Sequence, residues 1–295
     1  MRSNLIPKLT SYPTITLLFI WMAVPLGMTI YFSFLRYSLM YPDVREFTGL
    51  LNYEYFLTDF AFLEALWNTF VLVFSVLIFS IIFGTGFAVL LNQNFFGRGL
   101  ARVLAIAPFF IMPTVSALIW KNLFMNPVSG LFAWLLSLFG LGPIDWFTHV
   151  PMISIIIIVS WQWTPFATLI LLTSLQSVDK DQLEAVKLDG ANSFQAFRYV
   201  VLPHLSRPIA IIILIETIFL LTIFAEIFVT TTGGPGLATT NLAFLVFTEA
   251  LLKFDIGIAS AGGVVVVILA NIAAFFLVKM IGKNLSNSYV RVEVI

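Results

Sequence analysis

Two carboxylates, Glu216 and Glu226, stand ten residues apart in a run of isoleucine, leucine and phenylalanine, and Trp161-Gln162-Trp163-Thr164-Pro165 interrupts another such run. Neither group sets a nucleophile beside a base. The sequence has no cysteine, and its two histidines, His149 and His204, lie in unrelated segments, so thiolate, disulfide and histidine-metal chemistry drop out. No catalytic residue, metal site or cofactor is expected. These residues can instead hold a solute rich in hydroxyl groups. Pro165 has no N–H, so the carbonyl of Trp161 loses its helical donor, and Gln162, Thr164 and an indole face add further partners for O–H and C–H groups. Thr222, Glu226 and Thr230, spaced four apart, would form one polar stripe on a continuous helix. The candidate pathway residues are therefore Trp161, Gln162, Thr164, Thr222 and Glu226, with Trp161 and Thr164, three apart, preferred over Trp163. Glu216 would be turned about 80° from Glu226 on that helix, and an interhelical hydrogen bond is at least as good a reading of it as solute contact.

The elements that carry these groups belong in a bilayer. The chain is 60% hydrophobic and 10% charged, with a mean hydropathy of +1.02, whereas soluble domains carry roughly 25% charged residues. A net charge of +0 offers no field for nucleic acid. Runs of about 20 apolar residues, enough to cross hydrocarbon, fall near 12–34, 66–92, 103–125, 152–176, 208–231 and 256–281. The expected fold is an all-α membrane protein of six transmembrane helices forming a single transmembrane domain over 1–295. The first run is too long for a secretory signal and is read as an uncleaved anchor. Trp161 then lies about 14 Å from the outer end of span four, near mid-membrane. Pro108 and Pro113 break span three, and the small residues Gly257, Ala259, Ala261, Gly262 and Gly263 open span six as a packing surface.

Basic residues orient the spans. With both termini in the cytoplasm, Arg2, Lys8, Arg98, Arg102, Lys180, Lys187, Arg198, Arg207, Lys279, Lys283 and Arg291 are inside, and only Arg36, Arg45, Lys121 and Lys253 are outside. The polar island at 177–207, between spans four and five, is then cytoplasmic. There Asp179 to Asp189 should form a helix with Leu183, Val186 and Lys187 on one face, ended by Gly190. A second helix capped by Asn192 or Ser193 should bury Phe194, Phe197 and Val201 before Pro203 and Pro208 redirect the chain into span five. No loop is long enough for a catalytic domain, and no GxxxxGK[ST] phosphate loop is present.

Glu184, Ala185, Gly190, Val200, Leu202 and Pro203 resemble the EAA loop of binding-protein-dependent ABC importers, with Val186 where the second alanine would stand. The resemblance extends to Thr231–Gly236, Phe254–Ala261 and Ala107–Trp120, which look like carbohydrate permeases of the larger maltose-transporter type. Pro108–Asn122 and Met280–Leu285 look most like sorbitol/mannitol (polyol) permeases. It implies a permease subunit in a bacterial cytoplasmic (inner) membrane. Its partners would be a second homologous permease, two cytoplasmic ATPase subunits that hydrolyse the ATP, and an extracytoplasmic solute-binding protein. The loop would be the coupling helix, with Glu184, Ala185, Asp189, Gly190, Leu202 and Pro203 contacting the ATPase. The rival reading is a proton-coupled secondary transporter working through Glu216 and Glu226.

Overall fold

The computed structural model describes residues 5–292, and the side chains of residues 12–279 other than Lys180 and Lys187. In chain order, α1 (Leu5–Ser33) leads into a hairpin of β1 (Leu35–Ser38) and β2 (Tyr41–Phe47), then α2 (Leu51–Thr58) and the long α3 (Phe60–Asn92). Next come α4 (Arg98–Ile106), a 3-10 turn (Ala107–Phe110), α5 (Pro113–Ile119), a π-helical turn (Trp120–Phe124), α6 (Leu131–Leu138) and α7 (Trp146–His149). After them run α8 (Pro151–Gln176), α9 (Lys180–Leu188), α10 (Ser193–Ala196), a second π turn (Phe197–Val201) and α11 (Leu202–Leu220). The chain closes with α12 (Ala225–Thr230), α13 (Leu242–Phe247), a third π turn (Thr248–Leu252) and α14 (Ile256–Val292).

Among the described residues, five helical segments are long and apolar enough to cross a membrane, and a sixth arises if one bent pair counts as a span. This is an all-α membrane architecture with one small hairpin, in which Leu35 pairs with Phe47. Backbone breaks are affordable in it only where another group satisfies the freed N–H and C=O groups. The bent pair, Arg98–Phe110 with Pro113–Phe124, turns by 105°, so the third span expected at 103–125 is two half-helices. Pro113 cannot donate to Phe109, and Ile111 takes an extended conformation.

The fifth span departs further from expectation. Its helix runs without interruption over Ser193–Leu220 instead of beginning at 208, and stops before α12 instead of continuing to 231. Pro203 therefore does not redirect the chain. It sits in the first turn of α11, directly after the π turn, where the amide of Leu202 reaches five residues back to the Phe197 carbonyl.

The chain divides into two compact units, one comprising residues up to Leu63 with Leu245–Leu269, the other Glu64–Phe244 with the residues from Ala270 on. In the first unit, Asn52 Nδ2 donates to the carbonyls of Ser33 (2.9 Å) and Leu35 (2.8 Å), tying down the end of α1. The small residues of α14 pack here as expected: Gly257 lies against the Leu35 carbonyl and Gly262 against the Phe56 ring, where any Cβ would collide. Among the described residues, the apolar window within Tyr12–Ser33 of α1 has no buried residue, and only Ser33 at its end is enclosed.

In the second unit α8 is the central helix, buried over two-thirds of its apolar window. Ala167, Leu171, Leu172 and Leu175 on α8 pack with Ala88 and Leu91 of α3 and Leu205 and Ile212 of α11. Gly84 brings α3 so close to α8 that a Cβ there would lie 2.8 Å from that of Ala167. One turn beyond Ile212, the fully buried Glu216 accepts a 2.7 Å hydrogen bond from Ser80 Oγ, while its Oε2 has no partner.

Candidate solute pathway and coupling surface

The face of α8 that carries Trp161, Thr164 and Pro165 opens on a cavity of about 410 Å³ walled by Phe79, Phe83 and Phe87 of α3 and by Leu104 and Pro108. Its polar groups are few: Ser160, whose Oγ is buried without a partner, and Thr164. Thr164 Oγ1 already donates to the Ser160 carbonyl at 2.6 Å, as hydroxyls within apolar helices commonly do. Trp161 stands edge-on to Trp120 at 5.7 Å, within a cluster formed by Phe124, Met125, Phe132 and Trp146.

The opposite face of α8 lines a second cavity, of about 460 Å³, and here the polar candidates meet. Gln162, Thr222 and Glu226 share it with the rings of Phe109, Trp163, Phe166, Phe219 and Phe224. Gln162, Trp163 and Phe166 thus share one face of α8, and Trp161, Thr164 and Pro165 the other. Trp163 lies 5.4 Å from Phe219 and stands edge-on to Phe109 at 5.7 Å, which gives the cavity a continuous aromatic wall.

Backbone breaks in both broken spans reach this cavity through Ile111 and Ile223. In a continuous helix the Ile111 carbonyl would accept from residue 115; instead Gln162 Nε2 donates to it at 2.8 Å. Gln162 is 6% exposed, and its Oε1 is buried without a partner. The Ile223 carbonyl is likewise held by Asn241 Nδ2, at 2.6 Å. Because residues 221–224 leave the helix, Thr222, Glu226 and Thr230 form no single stripe. Thr222 is exposed in the break and donates to the Phe219 carbonyl, whereas Glu226 and Thr230 are buried on α12. The 80° offset between Glu216 and Glu226 assumed a continuous helix and does not apply. Glu216 lines neither cavity.

Lys121, Asn68 and Thr69 hold the segments that follow the second break. Lys121 Nζ donates to the carbonyls of Val229 (3.0 Å) and Thr230 (2.9 Å), placing a cation at the C-terminal end of α12, where the helix dipole favours it. Asn68 Nδ2 donates to the carbonyls of Leu237 and Thr240, and Thr69 Oγ1 accepts from the Leu242 amide, so the 232–241 loop is anchored to α3. Phe109, Phe166, Phe219 and Asn241 were not singled out as pathway residues from sequence, and Trp163 was ranked below Trp161 and Thr164. A two-residue shift along α8 from Trp161 and Thr164 gives Trp163 and Phe166, but the others enter only through the two breaks.

At the other candidate surface, the amide of Ala191 reaches back to the Val186 carbonyl and Gly190 takes φ +83°, a helix ending that favours glycine. Asn192 then caps α10 in a reciprocal box with Gln195. Glu184, Ala185, Asp189, Gly190 and Pro203 are exposed, and Leu202 is half-buried. Phe194, expected to be buried, is 75% exposed, and Leu188 and Tyr199 are exposed beside it in sequence. α10 makes only one turn before the π turn begins, so Ala196 turns inward in place of Phe194. Large apolar side chains left bare on a polar segment are a mark of a protein contact surface.

Comparison with known proteins places this architecture. The family described as binding-protein-dependent transport system inner membrane component matches residues 60–287. A probable ABC transporter permease protein, y4oQ of Sinorhizobium fredii, is 40% identical over 253 residues, covering 84% of this chain and 81% of the relative. The trehalose/maltose transport system permease protein MalF of Thermococcus litoralis is 36% identical over 254 residues, covering 84% of each. A chain from the crystal structure of a bacterial ABC transporter involved in import of the acidic polysaccharide alginate shares the fold. Its TM-score is 0.79 over 94% of this chain and 95% of that one, at 21% identity. The broken spans, the aromatic cavity and the exposed loop are thus set in a known frame: the chain belongs to the binding-protein-dependent transport system inner membrane components, the permeases of ABC importers.

Proposed function

We propose that this chain forms half of the translocation pathway of an ABC importer for a carbohydrate or polyol, with the solute held between α8, α11 and α12. The observation that carries the reading is the 460 Å³ cavity in which aromatic rings surround an unpartnered amide oxygen and a carboxylate. Sugar C–H faces stack on aromatic rings, and buried acceptors bind hydroxyl donors. Relatives named for trehalose and maltose transport support the solute class. Within it, the likeness of Pro108–Asn122 to sorbitol/mannitol permeases favours a polyol; the side chains of Met280–Leu285, which share that likeness, lie outside those described.

Glu184, Ala185, Asp189, Gly190, Leu202 and Pro203 form the surface that engages the cytoplasmic ATPase, helped by the bare Leu188, Phe194 and Tyr199. The unburied α1 suits packing against the second permease subunit. A soluble solute-binding protein delivers the solute from outside, and both termini lie in the cytoplasm. Proton-coupled transport through Glu216 and Glu226 draws no support from this arrangement, because the carboxyl of Glu216 is engaged by Ser80 and away from the cavity.

The test is uptake by the reconstituted complex of this permease, its partner permease, the ATPases and the binding protein, with labelled sugars and polyols in competition. ATP-dependent uptake that falls on substitution of Trp163 or Glu226 supports the reading. ATP-independent uptake by this chain alone would return it to the secondary-transporter class.

A further inference from the structure

Asn241 does not line the cavity, yet it is fully buried and both ends of its amide are used. Its Oδ1 accepts from the Phe244 amide at 2.8 Å, capping α13, and its Nδ2 donates to the Ile223 carbonyl at 2.6 Å. That carbonyl is the one that would accept from residue 227 if α11 ran on into α12. The neighbouring break has the same design, with the Ile111 carbonyl held by an amide N–H of Gln162. Each break has therefore exchanged a helical backbone donor for a side-chain donor from another segment. Without that donor, a carbonyl in an apolar surrounding has one ready remedy, which is to resume the helix. Resuming it through 221–224 would rotate α12, and Glu226 in its first turn would turn with it.

We infer that Asn241 is a positioning residue for solute passage: by holding the Ile223 carbonyl it keeps α11 and α12 apart and aims Glu226 into the aromatic cavity. The inference rests on the assignment of that cavity as the solute site. It gives the 232–241 loop a task beyond connecting spans, because Asn68 anchors the loop to α3 at the carbonyls of Leu237 and Thr240, beside Asn241.

Asn241→Asp separates the two uses of the side chain, because it keeps an acceptor for the α13 cap and removes the N–H donor. Asn241→Ala removes both. The measurements are uptake turnover and ATP hydrolysis stimulated by loaded binding protein, made on the intact reconstituted complex at pH 9, with pH 6 as the control at which a protonated side chain would donate again. Both variants should assemble in normal yield and lose turnover about tenfold, the scale of one buried hydrogen bond to an uncompensated carbonyl. Asn241→Asp should add less than twofold on top of Glu226→Gln, since a residue that acts through another is silent once that other is gone. If Asn241→Asp is wild-type while Asn241→Ala and Glu226→Gln are impaired, the residue only caps α13 and the inference falls. A fully multiplicative double variant overturns it equally. If Glu226→Gln is itself wild-type, the solute-site assignment fails first and takes the inference with it.

Discussion

Replacing Glu226 by glutamine tests the cavity most directly, because it keeps the shape of a side chain that is 2% exposed and exchanges only its carboxyl for an amide. A hydrogen bond to an ionised group contributes about 1.5–3 kcal/mol, against about 1 kcal/mol for a neutral pair. The net loss on exchange for an amide is then about 0.5–2 kcal/mol, or about 2- to 30-fold in occupancy of the cavity. The lower figure applies if one solute hydroxyl reaches the carboxylate through water, and the upper if the contact is direct. The assay is turnover of labelled solute at saturating loaded binding protein, so that capture outside the membrane does not limit the rate. Glu216→Gln is the internal control. The carboxyl of Glu216 meets Ser80 outside both cavities, so its replacement should change the yield or thermal stability of the complex and leave solute selectivity alone. Wild-type turnover in Glu226→Gln together with altered solute preference in Glu216→Gln would refute the placement of the pathway between α8 and α12.

Trp163→Ala removes a stacking face worth about 0.5–1.5 kcal/mol and should lower turnover about 2- to 12-fold, with assembly intact by size-exclusion chromatography. Trp161→Ala should do the reverse, lowering complex yield and melting temperature through the Trp120 cluster while surviving molecules transport normally. Gly190→Val forces a β-branched residue to φ +83°, a cost of roughly 1–2 kcal/mol, with open space around the position. It and Glu184→Lys should weaken ATPase binding in pull-down while leaving membrane insertion unchanged. Cysteines at Asn192 and Val128 in this cysteine-free chain should be labelled from opposite sides of the membrane by an impermeant maleimide. Val128 is 92% exposed, whereas Thr239 on the same expected side is fully buried and unsuited to the purpose.

Hydropathy made the apolar helices legible because a bilayer demands length and apolarity and little else of a span. The glycine turn at 190 and the cap at Asn192 were equally legible, being set by local backbone chemistry. The two breaks were harder to read. Pro108 and Pro113 announced the first, yet nothing local in Leu221–Phe224 marks the second. Its non-helical backbone is held by Asn241, eighteen residues further on, and no periodicity reports such a bond. The same omission changed the grouping of the polar residues. A continuous span five put Thr222, Glu226 and Thr230 on one stripe, and the polar chemistry of span four was assigned to Trp161, Gln162 and Thr164. With the break in place, Glu226 belongs with Gln162 and Trp163. Phe194 was misjudged for a related reason: an isolated amphipathic turn reads as self-burying, whereas one turn of α10 has little of its own chain to pack against.

The uninterrupted helix from Ser193 to Leu220 has a mechanical meaning. Its 28 residues make a rod about 42 Å long, with the exposed loop at one end and the Leu221–Phe224 break at the other. If the loop end is displaced by about 7 Å, a rigid rod of this length tilts by roughly 10° about its far end, the π turn at Phe197–Val201 and Pro208 being the two places where the shaft can bend. The break then acts as the joint that converts tilt into rearrangement, so stiffness along α11 and compliance at 221–224 should be selected together. A glycine placed in the shaft at the exposed Ile211 would test this by softening it while leaving both ends unaltered. ATP hydrolysis would persist, and the stroke would be spent in the shaft before it reached the solute.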